Sequence, residues 1–229
     1  RTFRGELGQF FTPRTIVEFM VNVLDPQEGE YICDPCCGSG GFLINAFEYV
    51  RAQIEQDIEA EKEKIKETYY TAEYDKLTDA KKEEIDTKVA EAFQALNQEL
   101  DINNAKGRLR SLSFDCIYGT DANPRMARTA KMNMIMHGDG HGGVHHHDGL
   151  LNVNGIFDGR FDIILTNPPF GAHVDKDLKI TEADKFTDEQ KILAYTKRYG
   201  NAYVEALKQV NGHIGESLLS LFETGKMSG

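Results

Sequence analysis

Asp34-Pro35-Cys36-Cys37-Gly38-Ser39-Gly40-Gly41-Phe42 lies between an apolar run, Tyr31-Ile32-Cys33, and the start of a helical pattern, Phe42-Leu43-Ile44. A short apolar strand, a glycine turn and a helix in that order form the opening unit of a parallel α/β sheet. Glycines after a strand let the backbone turn sharply and approach a ligand closely. The same turn serves dinucleotides, so the pattern alone does not name a ligand. Asp34 at the strand end bends the reading away from phosphate, which an acid repels. It favours a ligand bearing positive charge, such as an amino acid or a sulfonium.

Working outward, Gly8-Gln9-Phe10-Phe11-Thr12-Pro13-Arg14 precedes a helix in which Thr12 is placed to cap and Pro13 to occupy the first helical position. Ile16, Val17, Met20, Val23 and Leu24 are expected to form its apolar face. From residue 51 to 110 the composition turns to Glu, Lys, Ala and Gln. Narrow stripes at Ile54, Ile58, Ile65 and Tyr69, and at Ile85, Val89, Phe93 and Leu96, predict two antiparallel helices, restarted at Thr78-Asp79. The hairpin reads as an insertion, either a solvated packing element or a docking surface. Residues 1–50 and 111–229 are then the core.

The core resumes with a strand over Cys116–Asp121 and a helix from Pro124, whose buried side is expected at Met126, Ala130, Met134 and Ile135. A Gly/His-rich stretch from Gly138 to Gly149 reads as a mobile, solvated loop. The strand Phe161–Thr166 follows, ending in Asn167-Pro168-Pro169-Phe170. Asp175 to Glu189 reads as a flexible polar loop. At least one closing helix is expected, around Ala202–Val210 or Glu216–Phe222. Apolar strands alternating with helices predict a Rossmann-like α/β fold with a mainly parallel sheet, and ligands at the strands' carboxyl ends.

Two further motifs fall at such ends. Asp121, in Gly119-Thr120-Asp121-Ala122-Asn123-Pro124, suits ribose hydroxyls. It lies about 80 residues beyond the glycine turn rather than the usual roughly 20, a surplus the insertion explains. The alternative is a cap for the following helix. Pro168 and Pro169 fix the backbone, so the Asn167 carboxamide and the Pro168 carbonyl form a rigid pair of acceptors for the two hydrogens of an amino group. Phe170 offers a face on which a planar base stacks.

Composition limits the function. The chain has 229 residues, 40% hydrophobic and 28% charged, which excludes a disordered tail. No apolar run approaches the roughly 18 residues of a membrane span. Lys plus Arg is 26 against 37 Asp plus Glu, for a net charge of −11. Such a chain does not grip a polyanion unaided. The chain opens on Arg1 without a secretory signal, so it reads as a fragment or a processed start. Four cysteines fit a reducing cytoplasm better than a disulfide scaffold. The C-x-x-C spacing of Cys33 and Cys36 lacks a second pair, and His137, His141, His145, His146 and His147 lack a fixed scaffold, so neither is assigned a metal. Protonated, those histidines would offer a contact to nucleic-acid phosphate.

Asp-Pro-x-x-Gly-Ser-Gly-Gly-Phe followed by Asn-Pro-Pro-Phe resembles the S-adenosylmethionine-dependent N6-adenine DNA methyltransferases. The leading Gly8-Gln9-Phe10-Phe11-Thr12-Pro13-Arg14 narrows the resemblance to the methylation (M) subunits of type I restriction–modification systems. It covers residues 5–50 and 114–171. It implies that Gln9, Phe10, Phe11, Thr12, Pro13 and Arg14 fold over the methionine end of S-adenosyl-L-methionine. Asp34 and the turn Gly38, Ser39, Gly40 and Gly41 hold its amino-acid part. Asp121 takes the ribose hydroxyls and Asp148 lies near its adenine ring. Asn167, Pro168, Pro169 and Phe170 receive a flipped-out target adenine. It also implies DNA reached through a specificity subunit, a restriction subunit, a second M subunit, no membrane, and a cytoplasmic enzyme. Cys36 and Cys37 replace the family's usual small residues. The chain ends at Lys226-Met227-Ser228-Gly229, where the family's next strand begins, so four strands are expected. The competing readings are an RNA or protein-amide methyltransferase and an inactive cofactor-binding scaffold.

Overall fold

The computed structural model describes residues 11–140, 143–151, 155–168 and 177–222. Its elements run α1 (Arg14–Leu24), β1 (Ile32–Asp34), α2 (Gly41–Tyr69), α3 (Asp79–Glu99), α4 (Arg108–Ser111), β2 (Ile117–Asp121), α5 (Pro124–Met136), β3 (Gly143–His146), β4 (Ile163–Ile164), α6 (Glu189–Tyr199) and α7 (Asn201–Gly212). The strands form one sheet in the order β3-β2-β1-β4, every pairing parallel. All three residues of β1 are buried, as expected of a strand covered on both faces. This is the Rossmann-like architecture. Because β2 and β4 flank β1 on opposite sides, the chain changes direction across β1. A crevice opens there, at the carboxyl ends of the strands.

One face of the sheet packs Ile32, Ile117, Ile163 and Leu165 against α1, α2 and α5. On α1 only Val17 and Val21 are buried. Ile16, Val23 and Leu24 are exposed, contrary to the apolar face expected from spacing: α2 covers one narrow side of a short helix. The helix ends where Asp25 turns left-handed, at φ 46°, just before Pro26. On α5 the buried side is Ala127, Ala130 and Met134, whereas Ile135 is exposed. The small alanines let α5 approach the start of α2, where a Cβ on Gly40 would meet that of Ala130 at 3.3 Å.

The other face is covered differently. Cys33 and Tyr118 pack with Ile156, Tyr31 and Phe161. Arg160 lies over the rings of Tyr118 and Tyr199, at 3.9 and 4.4 Å from their centroids, tying α6 to the sheet. Phe157 and Tyr203 bring α7 into the same layer.

Three stretches differ from expectation. The Gly/His stretch contains β3, paired with β2 from Tyr118↔Gly143 to Asp121↔His146. Gly143 permits this pairing, because a Cβ there would stand 2.2 Å from the Ile117 carbonyl oxygen. His145 is largely buried and pushed down to about 4, by burial first and then by Lys131 and Lys191. It is neutral at neutral pH, not a solvated cation; His141 lies outside the described residues. The polar run before α6 is anchored by fully buried Ile180 and carries a short 3-10 turn, Glu182–Asp184, closed by a capping box from Thr181. Finally, α6 itself was not foreseen, and the second closing helix is only a 3-10 turn, Leu218–Leu221.

The two long helices of the charged stretch are present. α2 runs unbroken for 29 residues from the glycine turn, and Ile54 and Ile58 on it are fully buried in the main core cluster. Truncating a fully buried isoleucine removes its transfer free energy and leaves a cavity. Ile58→Ala is therefore expected to lower stability by about 2–5 kcal/mol, measured by urea unfolding. A loss below about 1 kcal/mol would show that this helix does not share the core.

Candidate active site

The crevice at the carboxyl ends of β1 and β4 is built around one acid. Asp34 is 1% exposed. Its Oδ1 accepts from Thr166 Oγ1 at 2.8 Å and from the Cys36 amide at 3.1 Å. Burial pushes its carboxyl up to about 6; the Thr166 and Cys36 bonds oppose this and the neighbouring Asp121 charge adds to it. The bond to Thr166 joins the end of β1 to the segment after β4, directly before Asn167.

The glycine turn is held from the next strand. Gly38 and Gly40 take φ of 54° and 88°, where glycine alone is unstrained. Asp121 accepts from the Gly38 amide at 2.9 Å and from the Asn123 amide at 2.7 Å. The Cys37 amide donates to the Thr120 carbonyl, and Thr120 Oγ1 donates to the Pro35 carbonyl, each at 2.8 Å. Asn133 on α5 donates to the Ser39 carbonyl at 2.9 Å. Asp121 does not cap α5; Asn123 does, accepting from the Arg125 amide. After β3, Asp148 accepts from the Leu150 amide at 3.1 Å. The adjoining Gly149 presses so closely on the β1 loop that a Cβ would lie 2.0 Å from the Pro35 carbonyl oxygen.

One cavity brings together Phe11, Thr12, Asp34, Gly38, Ser39, Gly41 and Asn167, with Val17, Cys36, Cys37 and Phe42 completing its wall. Thr12 does not cap α1. Pro13 takes the cap position, no side chain caps the helix, and the Pro13 carbonyl receives the amides of Ile16 and Val17. The Thr12 hydroxyl instead accepts from Asn167 Nδ2 at 3.0 Å. Arg14 is not brought to this cavity; it pairs with Glu18 at 2.9 Å on the exposed side of α1. Asp121 and Asp148 stand behind and beside the cavity and do not line it. Pro168 is exposed. Gln9, Phe10, Pro169 and Phe170 lie outside the described residues. Among the described residues no three His, Cys, Asp or Glu side chains are grouped to hold a metal.

A profile of the N-6 DNA methylase family matches residues 2–84 and 90–216. The chain belongs to this family. The methylase subunit of the type I restriction enzyme EcoEI from Escherichia coli is 31% identical over 169 residues, which is 73% of this chain and 24% of that protein. The MjaIX methylase subunit from Methanocaldococcus jannaschii is 29% identical over 167 residues, 72% of this chain and 20% of that protein. The crystal structure of the EcoKI M protein is similar at 24% identity and a TM-score of 0.43, covering 71% of this chain and 26% of that one. The chain thus spans about a quarter of the length of the curated relatives it matches.

For an N-6 DNA methylase, the residue that motif reading passed over is Thr166. Its signal is a hydroxyl at the end of one parallel strand, opposite an acid at the end of its neighbour. Cys36 and Cys37 also line the cavity. Burial raises both thiols, and nearby Asp34 adds to the effect, so they serve as small uncharged wall residues. The raised Asp34 has a consequence for stability. Below about pH 4 the carboxyl is protonated folded and unfolded alike. Between there and about 6 the folded state binds the extra proton, so stability falls as pH rises through that window. About two pK units correspond to roughly 3 kcal/mol. Asp34→Asn, which keeps an acceptor for Thr166, is expected to be more stable than the parent above pH 6.5 and to lose this slope, as read from urea midpoints at pH 4–8. Equal slopes in both proteins would refute the assignment.

Proposed function

We propose that this chain carries the methyl-transfer site of an N6-adenine DNA methyltransferase, the modification subunit of a type I restriction–modification system, and uses S-adenosyl-L-methionine. The observation that carries this reading is that an acid-floored glycine turn and Asn167 line one cavity, joined by the Thr166–Asp34 bond. The cavity fits such a cofactor. A Cβ on Gly38 or Gly41 would meet nothing within 4 Å, so open space stands before the turn. Asp34 is a buried acceptor suited to an ammonium group, and Phe11 and Phe42 offer apolar wall. On this reading Asp34 and the turn Gly38–Gly41 hold the amino-acid end, with residues 9–13 over it. Asp121 meets the ribose: each carboxylate oxygen accepts more than one hydrogen, so its bonds to Gly38 and Asn123 orient it for that role. Asp148 neighbours the cofactor's adenine.

When bound, the cofactor supplies a methyl group already activated on a sulfonium. The chain's own residues act on the other partner. A target amino group is delocalised into its ring and is a poor nucleophile. The Asn167 carboxamide oxygen and the Pro168 carbonyl accept its two hydrogens, which draws the nitrogen lone pair out of conjugation. Phe170 stacks on the base, and Pro169 stiffens the segment. The base has to leave the duplex, at a cost of a few kcal/mol, and in-line placement then supplies much of the rate. With a net charge of −11, the chain leaves DNA grip and site choice to a specificity subunit. A restriction subunit and a second modification subunit complete the assembly we envisage in the cytoplasm. Among the described residues no helix is long and apolar enough to cross a membrane. We further read 51–110 as a hairpin inserted into a core of 1–50 and 111–229.

Calorimetric titration of S-adenosylmethionine tests the cofactor half of this reading. The parent is expected to bind in the micromolar range, Asn167→Ala equally well, and Asp34→Asn at least about tenfold more weakly. Because the ionised acid is the binding form, parent affinity is expected to drop as pH falls below about 6. Unchanged affinity in Asp34→Asn would remove this acid from the cofactor site.

A further inference from the structure

The Thr12 hydroxyl is out of place for a helix-capping threonine. A threonine directly before a proline at a helix start ordinarily turns its oxygen onto the first-turn amides. Here Pro13 holds the cap position, its carbonyl accepts from Ile16 at 2.9 Å and Val17 at 3.1 Å, and no side chain caps the helix. The hydroxyl points across the cleft to a residue 155 positions away, Asn167, whose Nδ2 donates to it at 3.0 Å.

A primary carboxamide has two near-equivalent orientations about its last torsion, exchanging oxygen for nitrogen. Only one presents the oxygen to an incoming amino group; the other presents NH2 and repels it. The backbone around Asn167 is fixed by the Leu165 amide to the Cys33 carbonyl at 3.1 Å and by Thr166 Oγ1 to Asp34. Neither bond holds the carboxamide itself, whereas the Thr12 hydroxyl does, with Nδ2 turned toward Thr12 and Oδ1 turned away from it. Thr12 is itself restrained, since the residue before a proline is confined to extended backbone.

We infer that Thr12 is a positioning residue for Asn167: by accepting from Nδ2 it fixes the carboxamide so that Oδ1 faces the target amino group. The inference rests on the proposed role of Asn167 and adds to it a dependence of the base-side acceptor on the segment before α1. That segment would then serve two purposes, closing over one substrate and setting the acceptor for the other.

The test uses the full-length protein with its DNA-recognition partner. It measures tritiated methyl transfer from S-adenosylmethionine to plasmid DNA free of N6-methyladenine, and cofactor Kd by calorimetry. Thr12→Val removes the hydroxyl and keeps the shape; Thr12→Ser restores the hydroxyl. Thr12→Val is expected to lower kcat by about 10- to 100-fold, the scale set by misplacing a reacting partner. Because Thr12 lies in the segment proposed to close over the cofactor, kcat is read at saturating cofactor, where a change in Kd does not contribute, and Thr12→Ser should recover most of the rate. Parent-like kcat in Thr12→Val beside an inactive Asn167→Ala would overturn the positioning role alone. A collapse of cofactor affinity in Thr12→Val, with kcat at saturation unchanged, would overturn it in favour of direct cofactor contact. Full activity in Asn167→Ala would overturn the base-pocket reading and this inference with it.

Discussion

The site depends on keeping one carboxylate dry. Asp34 ends a strand buried on both faces, and it is held by a hydroxyl from one neighbouring strand's end and an amide from its own loop. An isolated charge there would be costly. Two short bonds and the open crevice in front make it tolerable, and the strain shows as a carboxyl pushed up to about 6. The arrangement gives up some stability to keep a desolvated acceptor at the cleft. The same bond from Thr166 aligns the segment that follows β4. The acid therefore organises both sides of the cleft.

Around this acid, the packing is organised by close approaches that only small residues permit. Gly40 meets Ala130 between α2 and α5, Gly119 lies against Leu43, and Gly149 lies against Pro35. Each brings its neighbour nearer than a side chain would allow, and Gly149 does so at the loop that follows β1. Backbone contacts rather than side-chain volume define the rim of the crevice. The second face of the sheet is sealed by another device, a guanidinium between tyrosine rings.

The strands β1 and β2 were legible because they are short, apolar and bounded by acids and glycines. So were the long helices, whose stripes hold over many turns. β3 was not. Gly143-Val144-His145-His146 has one aliphatic residue, and its pairing rests on a glycine hydrogen's worth of space beside Ile117, which no hydropathy pattern reports. α6 escaped because its inward face is carried by Ile192, Tyr195 and Tyr199, and tyrosine reads as half polar. At the site, the glycine turn, Asp34, Asp121 and Asn167 could be named from sequence. Arg14 illustrates what motif order leaves out: it sits beside residues of the cleft in sequence, yet the turn of α1 points it away. Thr166 illustrates the reverse, an unremarkable hydroxyl given its role by the register of two parallel strands.

α2 begins at the glycine turn and continues for 29 residues without a proline or a break. At about 1.5 Å per residue it is a beam of roughly 43 Å. Its first turn forms part of the cleft wall, it is buried in the core from Phe42 through Ile58, and near its far end Lys66 lies over the Phe93 ring of α3. A beam embedded over its first half is a cantilever. It fixes the direction of the hairpin relative to the turn that faces the cleft, so that hairpin and site share one rigid support.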